Sequence, residues 1–169
     1  IKDDKIISTK DRPFIDMESL PLPAYDLLKM EEYGKGARSH KDLVALEHSR
    51  GCPGSCNFCI LWKQFGIERG KKTLPCYRTK SPKKMFEEVK YFVKKYDRKT
   101  ICWVDSTWNM DPDWCTEFSK LVINSGLDIV QNMFMRPDYI VRDEKLGVFK
   151  YQVHAGVRQI MLGIDRMYD

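Results

Sequence analysis

The sequence predicts an α/β protein: about four βα units forming the N-terminal part of a parallel β/α barrel, a partial TIM-type barrel. Three observations carry this reading. From Asp42 onward, short apolar runs alternate with segments of helical periodicity. The run Thr100-Ile101-Cys102-Trp103-Val104 is continuous rather than alternating, as in a parallel strand buried on both faces. Each run ends at a polar residue, the position where such barrels keep their chemistry.

The elements follow in order. Residues 1–35 read as a linker lying on a surface: the prolines in Leu20-Pro21-Leu22-Pro23-Ala24 favour extended backbone, and Asp26 to Glu32 allows a short helical turn or two. Residues 36–169 form the barrel portion. Leu43 to His48 is the first strand, followed directly by a cysteine-rich loop. Gly66 to Lys80 is a polar connection. Ser81-Pro82 supplies an N-cap and a proline at the first helical position, and Phe86, Val89, Phe92, Val93 and Tyr96 then share one helix face. That stripe is packing. After the strand ending at Asp105, Asp111-Pro112 caps a helix with Trp114, Phe118, Leu121 and Val122 inward and Gly126 at its end. Cys102 and Cys115 read as core thiols. Leu127 to Met135 is the third strand, stopped by Arg136-Pro137. Asp143 is expected to cap a helix carrying Leu146, Phe149 and Val153, and Gln159 to Asp165 is the fourth strand. Four strands do not close a barrel and leave an edge, so the chain is expected to be an excerpt of a longer protein.

At 169 residues, with 43% hydrophobic and 31% charged, the composition is that of a globular domain. No apolar run approaches the roughly 18 residues of a membrane span, so a cytoplasmic protein is expected. There, six cysteines are better explained as ligands and packed thiols than as disulfides. A net charge of +5 is too small to argue for nucleic acid by itself.

Cys52, Cys56 and Cys59 fall within eight positions, with Pro53 and Gly54 bending the backbone between the first two. Thiolates so spaced are ligands for zinc or for an iron–sulfur cluster. A structural zinc site needs a closed tetrahedral set, for which Cys76 is the available fourth thiol. Three thiolates around a cubane instead leave one iron open. By the strand-end rule, the cysteine loop, Asp105 with Ser106 and Thr107, Arg136 and Asp165 all converge on one mouth. His48, beside the loop, reads as a packed or hydrogen-bonded histidine. A basic run surrounds the mouth, including Arg78, Lys80, Lys83 and Lys84. The last two lie in the first turn of a helix, where the dipole disfavours each cation by roughly 0.3–1 kcal/mol. Glu87 and Glu88, or a bound carboxylate or phosphate, would offset that.

The spacing Cys52-x3-Cys56-x2-Cys59 with Phe58 before the last cysteine resembles the signature of the radical S-adenosylmethionine (radical SAM) enzymes. The resemblance implies a radical SAM barrel and a four-iron four-sulfur (4Fe-4S) cluster whose open iron chelates SAM. One electron then splits SAM into methionine and a 5′-deoxyadenosyl radical that abstracts hydrogen from substrate. It also implies Phe58 near the adenine, the Asp105 to Thr107 turn, including Ser106, near the methionine amino group, and Asp165 near the sugar or carboxylate of SAM; Arg136, placed at the same mouth by the strand-end rule, is a further expected cofactor contact. The pattern Leu20-Pro-Leu-Pro-Ala-Tyr-Asp-Leu-Leu28 resembles the connector to an upstream cobalamin domain in one branch of the family. Within that branch, Arg50-Gly-Cys-Pro-Gly-Ser-Cys-Asn-Phe-Cys59, Trp62-Lys63, Tyr77 to Lys84, and Ala155-Gly156 leading to Gly163-Ile164-Asp165 are similar to oxidative cyclases of the magnesium-protoporphyrin monomethyl ester type. This implies tetrapyrrole cyclisation or cobalamin-dependent methylation, with cobalamin held by a domain outside this chain and ferredoxin or flavodoxin as reductant. The basic run suits a tetrapyrrole with acidic side chains, and equally RNA or a phosphorylated metabolite. Two alternatives stand beside this reading: a zinc-stabilised binding module using Cys52, Cys56, Cys59 and Cys76, and a methylthiotransferase-type radical SAM enzyme with a second cluster elsewhere.

Overall fold

The structure, a computed structural model, describes residues 12–33, 42–69 and 72–163. Its centre is a four-stranded parallel sheet of order β1-β6-β7-β8, made by β1 (Leu43–Leu46), β6 (Thr100–Trp103), β7 (Val130–Phe134) and β8 (Val157–Met161). These are the four expected strands, in parallel and in chain order across the sheet. Helices α2 (Pro82–Tyr96), α3 (Pro112–Ser125), α4 (Pro137–Lys145) and α5 (Phe149–His154) make the connections. The fold is that of a partial barrel.

Period-2 alternation divides the sheet into two unlike faces. Val44, Leu46, Ile101, Trp103 and Met133 point toward the helices and pack with Met85, Val89 and Phe92 of α2 and Trp114, Phe118 and Val122 of α3. On the other face, Ala45, Cys102, Asn132 and Gln159 form one row across the strands. Val104, Val130 and Phe134 are exposed on that side. The expectation of a strand buried on both faces therefore needs correction. Cys102 is a half-buried thiol on the open face, whereas Cys115 lies fully in the core, where burial pushes its thiol pKa up.

Helix boundaries follow the capping chemistry. Ser81 caps α2, its Oγ accepting from the Lys84 amide at 3.2 Å, and Asp111 caps α3 by accepting from the Asp113 and Trp114 amides. Gly126 ends α3 in the left-handed conformation, φ 67°. Asp143 does not cap a helix. It lies inside α4, fully buried, with Oδ1 held by Arg142 and Oδ2 accepting from Gln152 and Asn109. One expected helix is thus two short ones, broken at Leu146 to Val148.

The connection expected to be an irregular polar loop carries three short strands. β3 (Ile67–Arg69) pairs with β4 (Lys72–Leu74), and β5 (Tyr77–Thr79) pairs antiparallel with β2 (Ser49–Gly51). The expected first strand stops at Leu46, and the chain leaves the main sheet to make β2.

The proline-rich arm lies against α2. Residues 12–33 make 3-10 turns at Met17–Ser19, Tyr25–Leu27 and Met30–Glu32, with Met17 and Met30 buried and Tyr25 edge-on to Phe92 at 4.6 Å. Arg98 donates to the carbonyls of Met30 and Tyr33. Glu18 accepts from the Ser81 amide at 2.7 Å and the Ser81 hydroxyl at 2.9 Å, while Lys84 Nζ donates to the Glu18 and Leu20 carbonyls. The carboxylate at the start of α2 is therefore the chain's own. Much of the basic run is likewise engaged: Lys80 is buried against Glu88 at 2.9 Å, and the Arg78 guanidinium stacks on Phe14. Glu18→Ala should lower the stability by about 1 kcal/mol, the scale of a lost helix cap. Urea denaturation checks this, and an unchanged midpoint would show that Glu18 does not fasten the arm.

Candidate functional site

The strand ends build the site in layers. At the end of β6, the Asp105 carboxylate is 2% exposed, and its Oδ1 accepts from the His48 amide (3.1 Å), the Ser49 amide (2.6 Å) and the Ser49 hydroxyl (2.6 Å). His48 Nδ1 lies 2.8 Å from the same oxygen but off the line of a hydrogen bond. His48 is fully buried among Trp103, Trp108 and Trp114, with Nε2 3.3 Å from the Tyr77 hydroxyl. It is a packed histidine, as expected. Burial is the main reason the Tyr77 phenol pKa is raised. Asp105 thus turns the chain out of β1 and aims it, through β2, at Cys52.

The cysteine loop has its own internal frame. The Cys56 carbonyl accepts from the Cys59 amide at 3.1 Å and from Trp62 Nε1 at 2.9 Å, tying the turn to α1 (Leu61–Gln64). At its entrance Gly51 has φ +91°, and a Cβ there would stand 2.0 Å from the Cys76 carbonyl oxygen. Only glycine fits this pairing of β2 against the chain before β5. A Cβ on Gly54 would lie 3.4 Å from Cys52 Sγ, 3.9 Å from Cys56 Sγ and 3.3 Å from Arg136 Nη1. The thiols are free, with Cys52 and Cys59 half-buried and Cys56 exposed. Such a donor set suits soft metals. Among the described residues, no three His, Cys, Asp or Glu side chains already meet around a single metal position.

Arg136 enters from the end of β7. Its Nε and Nη2 donate to Asp138 at 3.0 and 2.8 Å, and its backbone amide donates to Asn109 Oδ1 at 3.2 Å. The hydrogen bond to Asp138 is the main reason its pKa is raised, with a smaller contribution from Cys56. That bond also lowers the pKa of Asp138.

A cavity of about 310 Å³ opens beside the loop, lined by Glu47, Ser49, Arg50, Asp105, Ser106 and Phe134 among others. Asp105 Oδ2 is buried without a hydrogen-bond partner among the described residues. The structure therefore brings Asp105 and Ser106 together on one cavity and sets Arg136 against the cysteine loop. Phe58 is apart, on the loop and 76% exposed, and Asp165 lies outside the described residues. The Asn109–Asp143 pair behind Arg136 escaped sequence reasoning. Asp143 standing where a cap was expected was its only signal.

A family model described as the radical SAM superfamily matches residues 46–169. Curated relatives include an anaerobic magnesium-protoporphyrin IX monomethyl ester cyclase of Rubrivivax gelatinosus, 27% identical over 96% of this chain and 27% of that protein. An uncharacterized methyltransferase of Pyrococcus horikoshii is 29% identical over 95% of this chain and 32% of its own length. A hopanoid C-3 methylase of Methylococcus capsulatus is 26% identical over 90% and 27%. The chain thus spans about a quarter to a third of the length of these relatives. Among the described residues, no helix is long and apolar enough to cross a membrane.

Gly51→Ala should destabilise the fold by more than about 2 kcal/mol, since left-handed strain and a backbone collision act together. Thermal or chemical denaturation checks this, and a wild-type midpoint would show that the entrance to the loop is not built as described.

Proposed function

The chain belongs to the radical SAM superfamily, and from that premise we propose that it is the cluster-bearing part of an enzyme that abstracts hydrogen from an unactivated carbon of its substrate. The observation that carries this reading is the Cys52-x3-Cys56-x2-Cys59 loop, set at the strand ends beside the cavity of Asp105 and Ser106. The family implies a 4Fe-4S cluster and SAM. Free thiols on one turn, with Gly54 leaving room between two of them and Arg136, are a donor set that fits the cluster. When bound, the cluster supplies the electron that splits SAM into methionine and a 5′-deoxyadenosyl radical.

In this reading Cys52, Cys56 and Cys59 are the ligands. Asp105 offers its unpartnered Oδ2, and Ser106 its hydroxyl, to the ammonium group of SAM, while Val104 and Phe134 give the cavity an apolar wall. Phe58 serves the adenine from the exposed side of the loop. Asp165 serves the sugar or carboxylate, and Arg136 faces the cluster. Asp105 then has two duties, one for each oxygen: Oδ1 fixes the chain that leads to the ligands, and Oδ2 binds.

For the whole protein, the reaction we favour is oxidative cyclisation of a tetrapyrrole, supported by the cyclase relative that aligns with 96% of the chain. Cobalamin-dependent methylation is the second reading, supported by the relatives named methyltransferase and methylase. In that case a domain outside this chain holds the cobalamin. A small reductant such as ferredoxin or flavodoxin delivers the electron in either case.

Anaerobic iron and sulfide analysis tests the reading, together with electron paramagnetic resonance of the dithionite-reduced protein before and after addition of SAM. About four irons per chain and a spectrum that changes with SAM are expected. Cys56→Ser should lose the iron, and Cys76→Ser should keep it. Stoichiometric zinc that is lost in Cys76→Ser, with no such spectrum, would replace the enzyme reading with a zinc-stabilised module.

A further inference from the structure

Arg136 is gripped along one edge and directed along the other. Its Nε and Nη2 form a two-point pair with the Asp138 carboxylate, at 3.0 and 2.8 Å. Nη1 takes no part in that pair and lies on the side of the loop, where it shares the space at Gly54 with the sulfurs of Cys52 and Cys56. The backbone that carries it is fixed as well. Asn109 Oδ1 holds the Arg136 amide, and fully buried Asn109 is in turn bound to fully buried Asp143, whose other oxygen is taken by Arg142. Pro137 and Asp138 open α4, so the dipole of that helix favours the carboxylate where it stands. A freely solvated surface arginine would need none of this.

We propose that Arg136 sets the reduction potential of the cluster held by Cys52, Cys56 and Cys59, and that Asp138 sets how much of its charge the cluster feels. The proposal rests on the cluster reading given above. Three thiolates brought onto one turn repel one another, and one-electron reduction adds a further negative charge. A guanidinium close to two of the sulfurs favours the reduced state, because its positive charge offsets the negative charge that reduction adds. A partner outside the ligand set tunes a metal centre in this way without touching substrate. Asp138 opposes the effect, because its carboxylate neutralises the far edge of the same guanidinium. Arg136 is therefore a positioning and tuning residue.

The two partners predict opposite signs. In the full-length protein, loaded anaerobically, the midpoint potential is read by following the reduced-cluster signal in a dithionite titration. Arg136→Gln should shift the reduction equilibrium about tenfold toward the oxidised cluster, a fall of about 59 mV for one electron. Asp138→Asn should shift it upward, and Arg136→Lys should stay nearer to wild type than Arg136→Gln does. Iron and sulfide content, measured on each sample, separates the layers. If the wild-type protein assembles no cluster, the cluster reading falls and this proposal with it. With a cluster present, equal potentials in wild type and Arg136→Gln overturn this proposal alone, as do shifts of the same sign in Arg136→Gln and Asp138→Asn. If Arg136→Gln assembles no cluster, Asp138→Asn decides, and a potential at or below wild type overturns the proposal.

Discussion

One buried carboxylate organises the molecule. Asp105 Oδ1 collects two backbone amides and a hydroxyl from His48 and Ser49, with the His48 ring against it. Each of those donors is buried, and without the carboxylate each would carry a desolvation penalty of about 1–3 kcal/mol. The bond set therefore decides where β1 ends. Because β1 ends there, Ser49 to Gly51 is free to pair with Tyr77 to Thr79, and the cysteine loop springs from this separate antiparallel pair instead of from the main sheet. A strand continuing straight through His48 would carry Cys52 elsewhere.

Helices α2 and α3 and the main-sheet strands were legible because burial leaves apolar stripes and runs in the sequence. The stripe in α2 and the caps Ser81, Asp111 and Gly126 mark their elements almost to the residue. The three-residue strands β2 to β5 were not legible. They are held by backbone pairing across mostly exposed or half-buried positions, so no hydrophobic alternation is written into them. Asp143 misled for a related reason: an aspartate before an apolar series looks like a cap, and only the tertiary positions of Asn109 and Gln152 make it a buried acceptor. Of the site, the cysteine spacing was explicit. The bonds of Asp105 Oδ1 depend on residues 56 and 57 positions away, and no local pattern encodes them.

The basic run shows how a charge pattern can be read too far outward. Lys80, Arg78 and Lys84 look in sequence like a surface awaiting an anion. Folded, Lys80 lies under Glu88, Arg78 on Phe14, and Lys84 on carbonyls of the arm. The cations close to the helix start fasten one part of the chain to another. Lys63, Arg69, Lys72 and Lys83 remain exposed for anything that arrives from outside.

The four tryptophans are divided between two places. Trp103, Trp108 and Trp114 are buried together around His48, while Trp62 sits half-exposed on the cysteine loop with its indole nitrogen on the Cys56 carbonyl. The intrinsic fluorescence is accordingly split in space. A water-soluble quencher meets Trp62 first, the shielded trio answers to melting of the core, and a single emission scan holds separate optical records of the loop and of the body that carries it.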